Sequence, residues 1–584
     1  MRRLRLVMAL ALAALGPAAP ARADQVLPQG RILDAGPNAG DVVFGGLKLG
    51  KRQNGRLILT PDAITGDASG SNVTLRGVQR SLAVKLGELP TIQDFVDPTD
   101  NGDYAPAIER AAAKGVMDVR FPGTQAEYPL KRSFKLPNAG LYLHCDARRN
   151  VVLKLYGSDA YHGIVGNTST MSYGFGVENC SLARDAAASS GAVLKLQNVF
   201  YWDFNAIRIY GENKVWRGLE LVSVGRGMSR DVTVDDVRER AVYARGGTAG
   251  GGAVGGPVVD NTFDYWYATN VNGVSSDPAN DGVLYFEDNF SAQWIYNIKA
   301  ARYKGYLIYF KGTKDNRNNN GLNLVVNPNA EATISGAGVV RMDAVVSSQV
   351  GGSGAWISSY GLPAIRIGED SLNTIVKGLQ IGISGTGADA VLDGGQYSTI
   401  QDLEVADYPV SGEAKSGAVV GIQSTAVGTK IERVSGNATL NLIRNEETSN
   451  NKGFIIRSAD YYNIRGEVIP GLYGDGTNSI RDIIARGGQG PSNYFVAAAT
   501  ISVPYGKPMY FCYKRGTIDR MLSPGYLGEE RVIQFQDSGT IRDINQSGVA
   551  GGAGGFMTKS RDVTTYATSA TARFKWFAGY WNEL

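Results

Sequence analysis

The chain has 584 residues, of which 43% are hydrophobic, 20% are charged and 75 are glycine. Four of its 59 basic residues and none of its 55 acidic ones lie in the first 23 positions, so the rest has no excess charge that would predict a nucleic-acid partner. The two histidines, His144 and His162, lie in no motif that supports a catalytic triad or a metal site, so acid–base chemistry is expected from Asp, Glu, Lys, Arg or Tyr.

Residues 1–23 have the layout of a signal peptide. Three early arginines precede the apolar run LVMALALAALG, and ARA at 21–23 offers the small residues that signal peptidase requires. We therefore expect the mature chain to begin at Asp24 and to be secreted, periplasmic or on the cell surface. An uncleaved membrane anchor is the alternative. However, the run is shorter than the ~20 apolar residues that span a bilayer, and no later segment approaches that length.

Residues 24–89 are predicted to be an N-terminal extension and linker, rich in Gly, Asp and short strands. The segment TIQDFVDPTDNGDYAPAIERAAAKGVMDVRFPG, residues 91–123, then predicts a strand, a loop, a short helix and a strand. Asp103 is placed to cap the helix, Pro106 is tolerated in its first turn, and Gly115 is placed to end it.

Residues 190–445 repeat. Short apolar strands that are often preceded by glycine recur, mostly every 23 to 28 residues, and strands of alternating apolar and polar residues lie between them. Such a period predicts a solenoid, because stacked units bury an apolar face that one unit cannot bury alone. Strands that return every turn pair in parallel, so we expect GVLYFED at 282 and GYLIYFKG at 305 on neighbouring rungs. The helix would cover the open end of the stack.

The stretch SLAVKLGELPTIQDFVDPTDNGDYAPAIERAAAKGVMDVRFPG resembles the N-terminal segment of the pectate-lyase-like superfamily, which includes phage tailspikes and bacterial polysaccharide-cleaving proteins. IQDF, APAIERAAAKG and FPG match, whereas DPTDNGD departs from the usual fuller Gly-Asp-Gly loop. The resemblance implies an all-β, right-handed parallel β-helix solenoid over 90–454 with a short N-terminal capping helix. A C-terminal β-rich module would follow at 455–584. Likeness to tailspikes implies a homotrimer, although bacterial β-helix lyases are often monomers.

Cys145 and Cys180 lie in similar settings, YLHCDAR and VENCSLAR, and are placed to stack in successive turns. Buried thiols are expected, and a disulfide between these two is the alternative. Cys512 is far away in the sequence, and no cysteine spacing suggests a zinc site.

The richest stretch for carbohydrate binding is 200–311, where aromatic, acidic and basic residues concentrate. In FDYWY, residues 263–267, consecutive side chains point to opposite faces, so some must face outward in either register. The predicted substrate-binding residues are Tyr265, Trp266, Tyr267 and Trp294. The alternative is that they are ordinary core aromatics.

Two chemistries compete for the catalytic role. A glycoside hydrolase needs two carboxylates, which stacked strands about 4.8 Å apart are able to supply. A lyase needs a cation to neutralise a uronate and a base to take the neighbouring proton, and NIKAARYKGYLIYFKGTK offers both. The predicted catalytic residues are Asp235, Asp236, Asp264, Glu287, Lys299, Arg302 and Tyr303. For each of them, a solvated or ion-paired surface residue is the alternative.

No cofactor is predicted. Calcium-assisted elimination would need converging carboxylates, for which Asp235, Asp236, Glu287 and Asp288 are candidates without a diagnostic spacing.

The sequence favours an exported enzyme that cleaves an acidic extracellular polysaccharide, with a lyase ahead of a glycoside hydrolase. A non-catalytic protein that binds exopolysaccharide is the rival. The groove is predicted beside the insertion GGTAGGGAVGGP, since later strands such as AVLDGG offer little to grip a sugar.

Overall fold

The computed structural model describes residues 90–146, 150–247, 256–385, 388–407 and 417–437, together with the strands and short segments named below. The predicted signal peptide and most of the glycine-rich insertion, residues 248–255, lie outside the described residues. The chain divides into two compact units, Met1–Val96 with Asp118–Arg120, and Asp97–Met117 with Phe121–Leu584.

The first unit contains a five-stranded antiparallel sheet within the predicted N-terminal extension. Its strands are Gln25–Leu27, Gly30–Ile32, Asp41–Phe44, Leu47–Gln53 and Arg56–Leu59. A 3₁₀ helix, Ile92–Phe95, begins at Thr91, whose backbone N–H donates to the Asp94 carboxylate at 2.9 Å. Asp118–Arg120 of the same unit begins the strand Asp118–Phe121.

The second unit is a parallel β-helix, and its first sheet, here called sheet A, has 12 strands. They are Phe134–Leu136, Gly163–Gly166, Leu194–Gln197, Leu219–Val222, Val242–Arg245, Gly282–Glu287, Gly305–Lys311, Ala337–Asp343, Ile365–Ile367, Val391–Asp393, Ala418–Ile422 and Asn441–Asn445. Leu284 pairs with Ile308 in parallel, so GVLYFED and GYLIYFKG lie on neighbouring rungs as predicted. The all-β, parallel β-helix architecture is thereby confirmed.

The other strands of the solenoid form sheet B, which is also parallel. They are Glu127–Leu130, Leu141–Cys145, Val152–Leu155, Ser172–Glu178, Ser181–Arg184, Val199–Asn205, Arg208–Tyr210, Met228–Asp235, Val258–Thr269, Phe290–Tyr296, Lys299–Ala301, Leu324–Val326, Asn329–Glu331, Gln349–Tyr360, Ile375–Ser384, Thr399–Asp407, Lys430–Asn437, Ile455–Tyr462 and Ser479–Ala485. Ile455–Tyr462 pairs in parallel with Lys430–Asn437, and Ser479–Ala485 pairs in parallel with Ile455–Tyr462, so the solenoid continues beyond the predicted boundary at residue 454.

Sheet B bends at corners where one residue of each rung has left-handed backbone, and one such corner crosses the middle of the sheet. Asn179, Asp231, Tyr265, Asn297 and Asn327 occupy this corner, each with φ between 52° and 58°. A single left-handed residue turns the chain sharply, and asparagine and aspartate tolerate that conformation better than most residues do. Ala206, with a φ of 52°, and Tyr265 are the exceptions at this corner, and the left-handed backbone of Tyr265 reverses which side of the strand the next side chains face.

Buried polar side chains inside another corner pair with one another from rung to rung. Buried Asn261 donates through Nδ2 to Gln293 Oε1 at 3.3 Å, and Asn323 Oδ1 accepts from the Gln293 N–H at 3.2 Å. Asn323 Nδ2 in turn donates to Ser348 Oγ at 3.2 Å. Each rung thus satisfies the polar group of its neighbour, which keeps the cost of burying these groups low.

The α-helix spans Ala105–Ala113 and buries Ile108 and Ala111 completely. The Asp103 carboxylate accepts from the backbone N–H of Ala105 at 3.0 Å, and Gly115 has a φ of +68°. The predicted capping helix is therefore present, and it packs against Phe134–Leu136 at the start of sheet A. Three further 3₁₀ helices are Pro98–Asp100, Pro278–Asn280 and Arg317–Asn319.

The C-terminal module is β-rich, as predicted. Its strands are Tyr494–Phe495, Thr500–Ile501, Met509–Cys512, Gly516–Ile518, Arg520–Met521, Glu530–Phe535, Gly539–Arg542, Phe556–Met557, Val563–Tyr566, Thr571–Phe577 and Tyr580–Glu583. Its core includes Cys512 and the edge-to-face pair Trp576 and Trp581, whose ring centroids lie 5.0 Å apart. Trimer formation through this module stays a prediction.

Cys145 and Cys180 form a disulfide, so the alternative interpretation was right and the expected free thiols were wrong. Both residues are buried, and the bond closes a loop with a sequence separation of 35 residues. It therefore ties two successive turns near the N-terminal end of the solenoid.

We expect reduction of this disulfide to lower the free energy of unfolding by about 2–4 kcal/mol, because the cross-link restricts the unfolded chain. Guanidinium denaturation with and without reductant measures the difference. The control is the double variant Cys145→Ala, Cys180→Ala, whose midpoint should not respond to reductant. An equal midpoint for the oxidised and reduced wild-type protein would contradict the prediction.

Candidate functional site

The strongly exposed aromatic rings of the described solenoid all lie on sheet B or at its corners. We call one part of this surface the aromatic face. It carries the rings of Tyr173, Tyr201, Tyr210, Tyr265, Tyr267 and Trp294, which are 38 to 61% exposed. Exposing this much ring surface has no benefit for folding, and contiguous exposed apolar surface typically marks a binding site.

Side chains on the aromatic face form columns, because parallel strands pair in register. Three outward-facing columns cross successive rungs: Met228, Thr262 and Trp294; Arg230, Asp264 and Tyr296; and Thr233, Tyr267 and Lys299. Neighbours within a column are about 4.8 Å apart along the stack. The structure therefore brings five of the predicted site residues, Asp264, Tyr265, Tyr267, Trp294 and Lys299, to one surface.

Charges on the aromatic face are paired but exposed. Arg230 Nε lies 3.8 Å from Asp264 Oδ2, and Asn297 Nδ2 donates to Asp264 Oδ1 at 3.1 Å. Lys299 Nζ lies 2.8 Å from Glu331 Oε1, and this hydrogen bond raises the pKa of the Lys299 ammonium. Lys299 is thus a cation at neutral pH, suited to binding an anion and unsuited to serving as a base.

Two predicted site residues are in the core instead. Trp266 is 1% exposed, and its indole N–H donates to Ser229 Oγ at 2.9 Å. Tyr303 is 0% exposed, its hydroxyl donates to the Gly338 carbonyl at 2.8 Å, and burial raises its pKa strongly. The predictions that Trp266 binds substrate and that Tyr303 is catalytic are therefore wrong, because neither side chain reaches the surface.

Three more predicted residues lie at one end of the aromatic face, where Asp235 pairs in register with Tyr210. Asp235, at the far end of its strand, is buried and accepts two hydrogen bonds from Arg208, at 3.0 and 2.8 Å. Asp236 and Arg302 have left-handed backbone at the following corner, where Asn270 Nδ2 donates to Asp236 Oδ1 at 2.7 Å. Their positions at the edge of sheet B separate them from Asp264.

Glu287 lies on sheet A. Its carboxylate accepts from Tyr243 at 2.8 Å and from Lys311 at 2.7 Å. Burial alone would raise the pKa of Glu287, but the hydrogen bonds from Lys311 and Tyr243 outweigh it and lower the pKa. Burial and the bond to Glu287 raise the pKa of Tyr243 to about 12, so this phenol stays protonated and is a poor base.

The outer side of sheet A is partly covered. Tyr285 and Tyr309 are buried there, and Arg341 donates to the Ala279 carbonyl and, at 2.7 Å, to Asn280 Oδ1. The segment containing Pro278–Asn280 thus packs over the tyrosines. Satisfied ion pairs beneath a packed segment indicate a structural network, so Glu287 does not join the candidate site.

We expect Glu287→Gln to lower the free energy of unfolding by about 1–2 kcal/mol at pH 7, since the charged hydrogen bonds are lost. The folded pKa lies below the ordinary 4.5, so the carboxylate's contribution is present above pH 4.5 and is lost as the pH falls through the folded pKa. Thermal melts from pH 3 to 8 measure the difference in Tm between variant and wild type. This difference should become smaller as the pH falls. The exposed partner of Lys299 provides the control, Glu331→Gln, with a smaller effect. A gap that stays constant with pH would contradict the prediction.

Sequence reasoning missed several residues of the aromatic face. Arg230 lies in RDVTVDDV, where the alternation of apolar and polar residues predicts only a strand. Its pairing in register with Asp264 places it in the site. Tyr173 lies outside the predicted stretch, and its ring centroid is 6.2 Å from that of Tyr201. A further polar pair lies nearer the N-terminal end of sheet B, where His144 Nδ1 is 2.9 Å from Glu178 Oε2.

Within the described part of the chain, no three His, Cys, Asp or Glu side chains come together in a group that could hold a metal ion. The same part contains no helix that is both long and apolar enough to cross a membrane.

Comparison with known proteins found no matching family model and no matching curated protein. Solved structures do match. The A-module of the mannuronan C-5 epimerase AlgE4 of Azotobacter vinelandii is 15% identical, covers 67% of this chain and 99% of its own, and has a TM-score of 0.42. Tailspike protein 3 of bacteriophage CBA120 is 14% identical over 90% of this chain and 83% of its own, with a TM-score of 0.36. DFA-IIIase from Arthrobacter chlorophenolicus A6 is 7% identical over 67% of this chain and 98% of its own, with a TM-score of 0.39.

Proposed function

We propose that the protein is exported, binds an acidic polysaccharide along the aromatic face and cleaves it there by elimination. The observation that carries this proposal is the row of exposed rings along sheet B with cationic side chains between them. Aromatic faces pack against the apolar side of sugar rings, and an extended, regularly spaced surface suits a polymer.

The preference for an acidic polymer rests on the cations. Arg226 donates to the Tyr201 hydroxyl at 2.7 Å, and its guanidinium carbon is 5.8 Å from the centre of that ring. Arg230 on the same rung as Arg226 and Lys299 two rungs further along carry further exposed positive charge. A uronate carboxylate near any of them gains a charged partner without having to displace a buried ion pair.

Tyr267 is the residue best placed to act as the base. It is exposed in the centre of the aromatic face, and its in-register neighbour on the next rung is Lys299. In the proposed step Tyr267 acts as a phenolate, whose negative charge Lys299 stabilises, and its oxygen takes the proton from C5, beside the uronate carboxylate. The electron pair of the C5–H bond forms the C4–C5 double bond, the C4–O4 bond breaks, and the leaving O4 takes up a proton from water. Arg230 stabilises the negative charge that spreads onto the carboxylate as C5 loses its proton.

A non-catalytic binding protein is the second candidate, and one observation favours it. The predicted catalytic carboxylates Asp235, Asp264 and Glu287 each already have a cationic partner, in Arg208, Arg230 and Lys311. Paired carboxylates of this kind are poor nucleophiles and poor general acids, which also argues against the glycoside hydrolase.

Purified protein incubated with a panel of polyuronates and acidic exopolysaccharides tests the proposal. New absorbance near 235 nm supports elimination. New reducing ends without absorbance support hydrolysis, and binding without either supports the non-catalytic protein. If no acidic polymer binds, the assignment of the aromatic face is wrong.

A further inference from the structure

A concave surface lies further along sheet B, outside the stretch predicted from the sequence. It is an open groove of about 640 Å³ over the strands from Leu324–Val326 to Thr399–Asp407. The expectation that later rungs offer little to grip a sugar holds for the small residues of sheet A, but it fails on sheet B.

A bulge opens the groove. Gly351 pairs with Lys377 and Ala355 pairs with Leu379, so three residues on one strand face the single residue Gly378 on the next. The backbones approach closely here. A Cβ on Gly378 would lie 2.3 Å from the Gly352 carbonyl oxygen, and one on Gly351 would lie 2.6 Å from the Lys377 carbonyl oxygen. The floor of the groove therefore requires glycine.

One wall carries groups that suit sugar hydroxyls. Gln380 and Glu404 line the groove in register on successive rungs, and Trp356, which is 41% exposed, lies beside the groove as the in-register neighbour of Gln380. Gln380 Nε2 donates to Glu404 Oε2 at 3.2 Å, and Gln349 lines the opposite part of the groove. An exposed indole beside amide and carboxylate oxygens offers a ring platform with hydrogen-bond donors and acceptors at its edge.

Charges in the groove are balanced, and carboxylates face into it. Asp402 accepts from Arg433 at 2.6 and 3.0 Å, and these bonds, with the Lys377 charge nearby, lower the pKa of Asp402. Lys377 therefore already faces an anion, while Glu404 presents a second carboxylate to the same space. A bound uronate would meet Glu404 and Asp402 and be repelled.

We propose that this groove binds a neutral sugar unit of a polysaccharide. Its volume lies within the usual range of ligand sites, about 300–1,000 Å³. The inference rests on the proposal that the ligand of the protein is a polysaccharide, but it is independent of any reaction at Tyr267. The two surfaces of sheet B would then bind different sugars of one mixed polymer.

Titration calorimetry with cellohexaose, mannohexaose and a galactan hexasaccharide tests the groove, and an oligogalacturonate serves as the acidic probe. At least one neutral probe should bind the full chain. The double variant Trp356→Ala, Gln380→Ala should weaken that binding at least tenfold. The matched control is Tyr265→Ala on the aromatic face, which should leave neutral-sugar binding unchanged and weaken oligogalacturonate binding. Circular dichroism checks that each variant is folded.

The failures of the two proposals are distinguishable. If no neutral probe binds, or if the double variant binds as tightly as wild type, the groove proposal is overturned. Oligogalacturonate binding that depends on Trp356 also overturns it, because the groove would then prefer acidic sugars. If neutral probes bind in the groove while no acidic polymer binds elsewhere, the groove proposal holds and the proposed function of the aromatic face fails.

Discussion

Replacing Tyr267 by phenylalanine is expected to lower the rate of elimination ~100-fold or more, because the ring stays but the oxygen that takes the proton is lost. Affinity for the polymer should change little, since Tyr267→Phe keeps the aromatic surface that packs on the sugar. The initial rate of absorbance increase near 235 nm measures the chemistry, and calorimetry on the same sample measures binding. The expected signature is therefore a loss in kcat at nearly constant KM.

The matched control is Tyr265→Phe on the same strand. Tyr265 is the most exposed ring of the aromatic face, but it stands at the corner, displaced from the Lys299 column that contains Tyr267. Its hydroxyl should be dispensable, so the rate should fall less than about threefold. If the rate fell equally in both variants, Tyr267 would have no special role. If Tyr267→Phe kept full activity, Tyr267 would not be the base.

The second large effect separates two tryptophans on adjacent rungs. Trp266→Ala should lower the free energy of unfolding by about 3–5 kcal/mol, because it leaves a cavity beside Phe263 and removes the partner of Ser229. Trp294→Ala should cost less than about 1 kcal/mol, since that ring is 39% exposed. Chemical denaturation of both variants measures the difference.

The order reverses for polymer binding. Trp294→Ala should weaken affinity about tenfold, consistent with the loss of one ring contact, whereas the folded fraction of Trp266→Ala should bind normally. A stable Trp266→Ala variant with impaired binding would return Trp266 to the site and would contradict its burial.

The repeat pattern predicted the fold because each rung carries its own apolar strand. It could not predict side-chain direction across the corner. Strict alternation along FDYWY would place Phe263 and Trp266 on opposite faces, yet both lie in the core. The left-handed backbone of Tyr265 between them resets the alternation, and no feature of a single sequence identifies a tyrosine that will adopt it.

The site was only partly predictable for a related reason. Residues close in sequence were grouped as one groove, but a single rung passes through both sheets. Glu287 thus ends a strand of sheet A, whereas Lys299 begins a strand of sheet B. Arg230 and Asp264 are 34 positions apart, and only the register of the rungs places them side by side.

The one-residue corner has a consequence for how such a chain can change over time. The face to which a side chain of sheet B points depends on how many residues separate it from the corner. It does not depend on the length of the loops between strands. The repeat between in-register residues is 34 positions from Arg230 to Asp264, 32 from Asp264 to Tyr296 and 24 from Lys377 to Gln401. Loops can therefore lengthen or shorten by whole segments without rotating the functional columns, so the periphery is free to diversify while the recognition surface keeps its alignment.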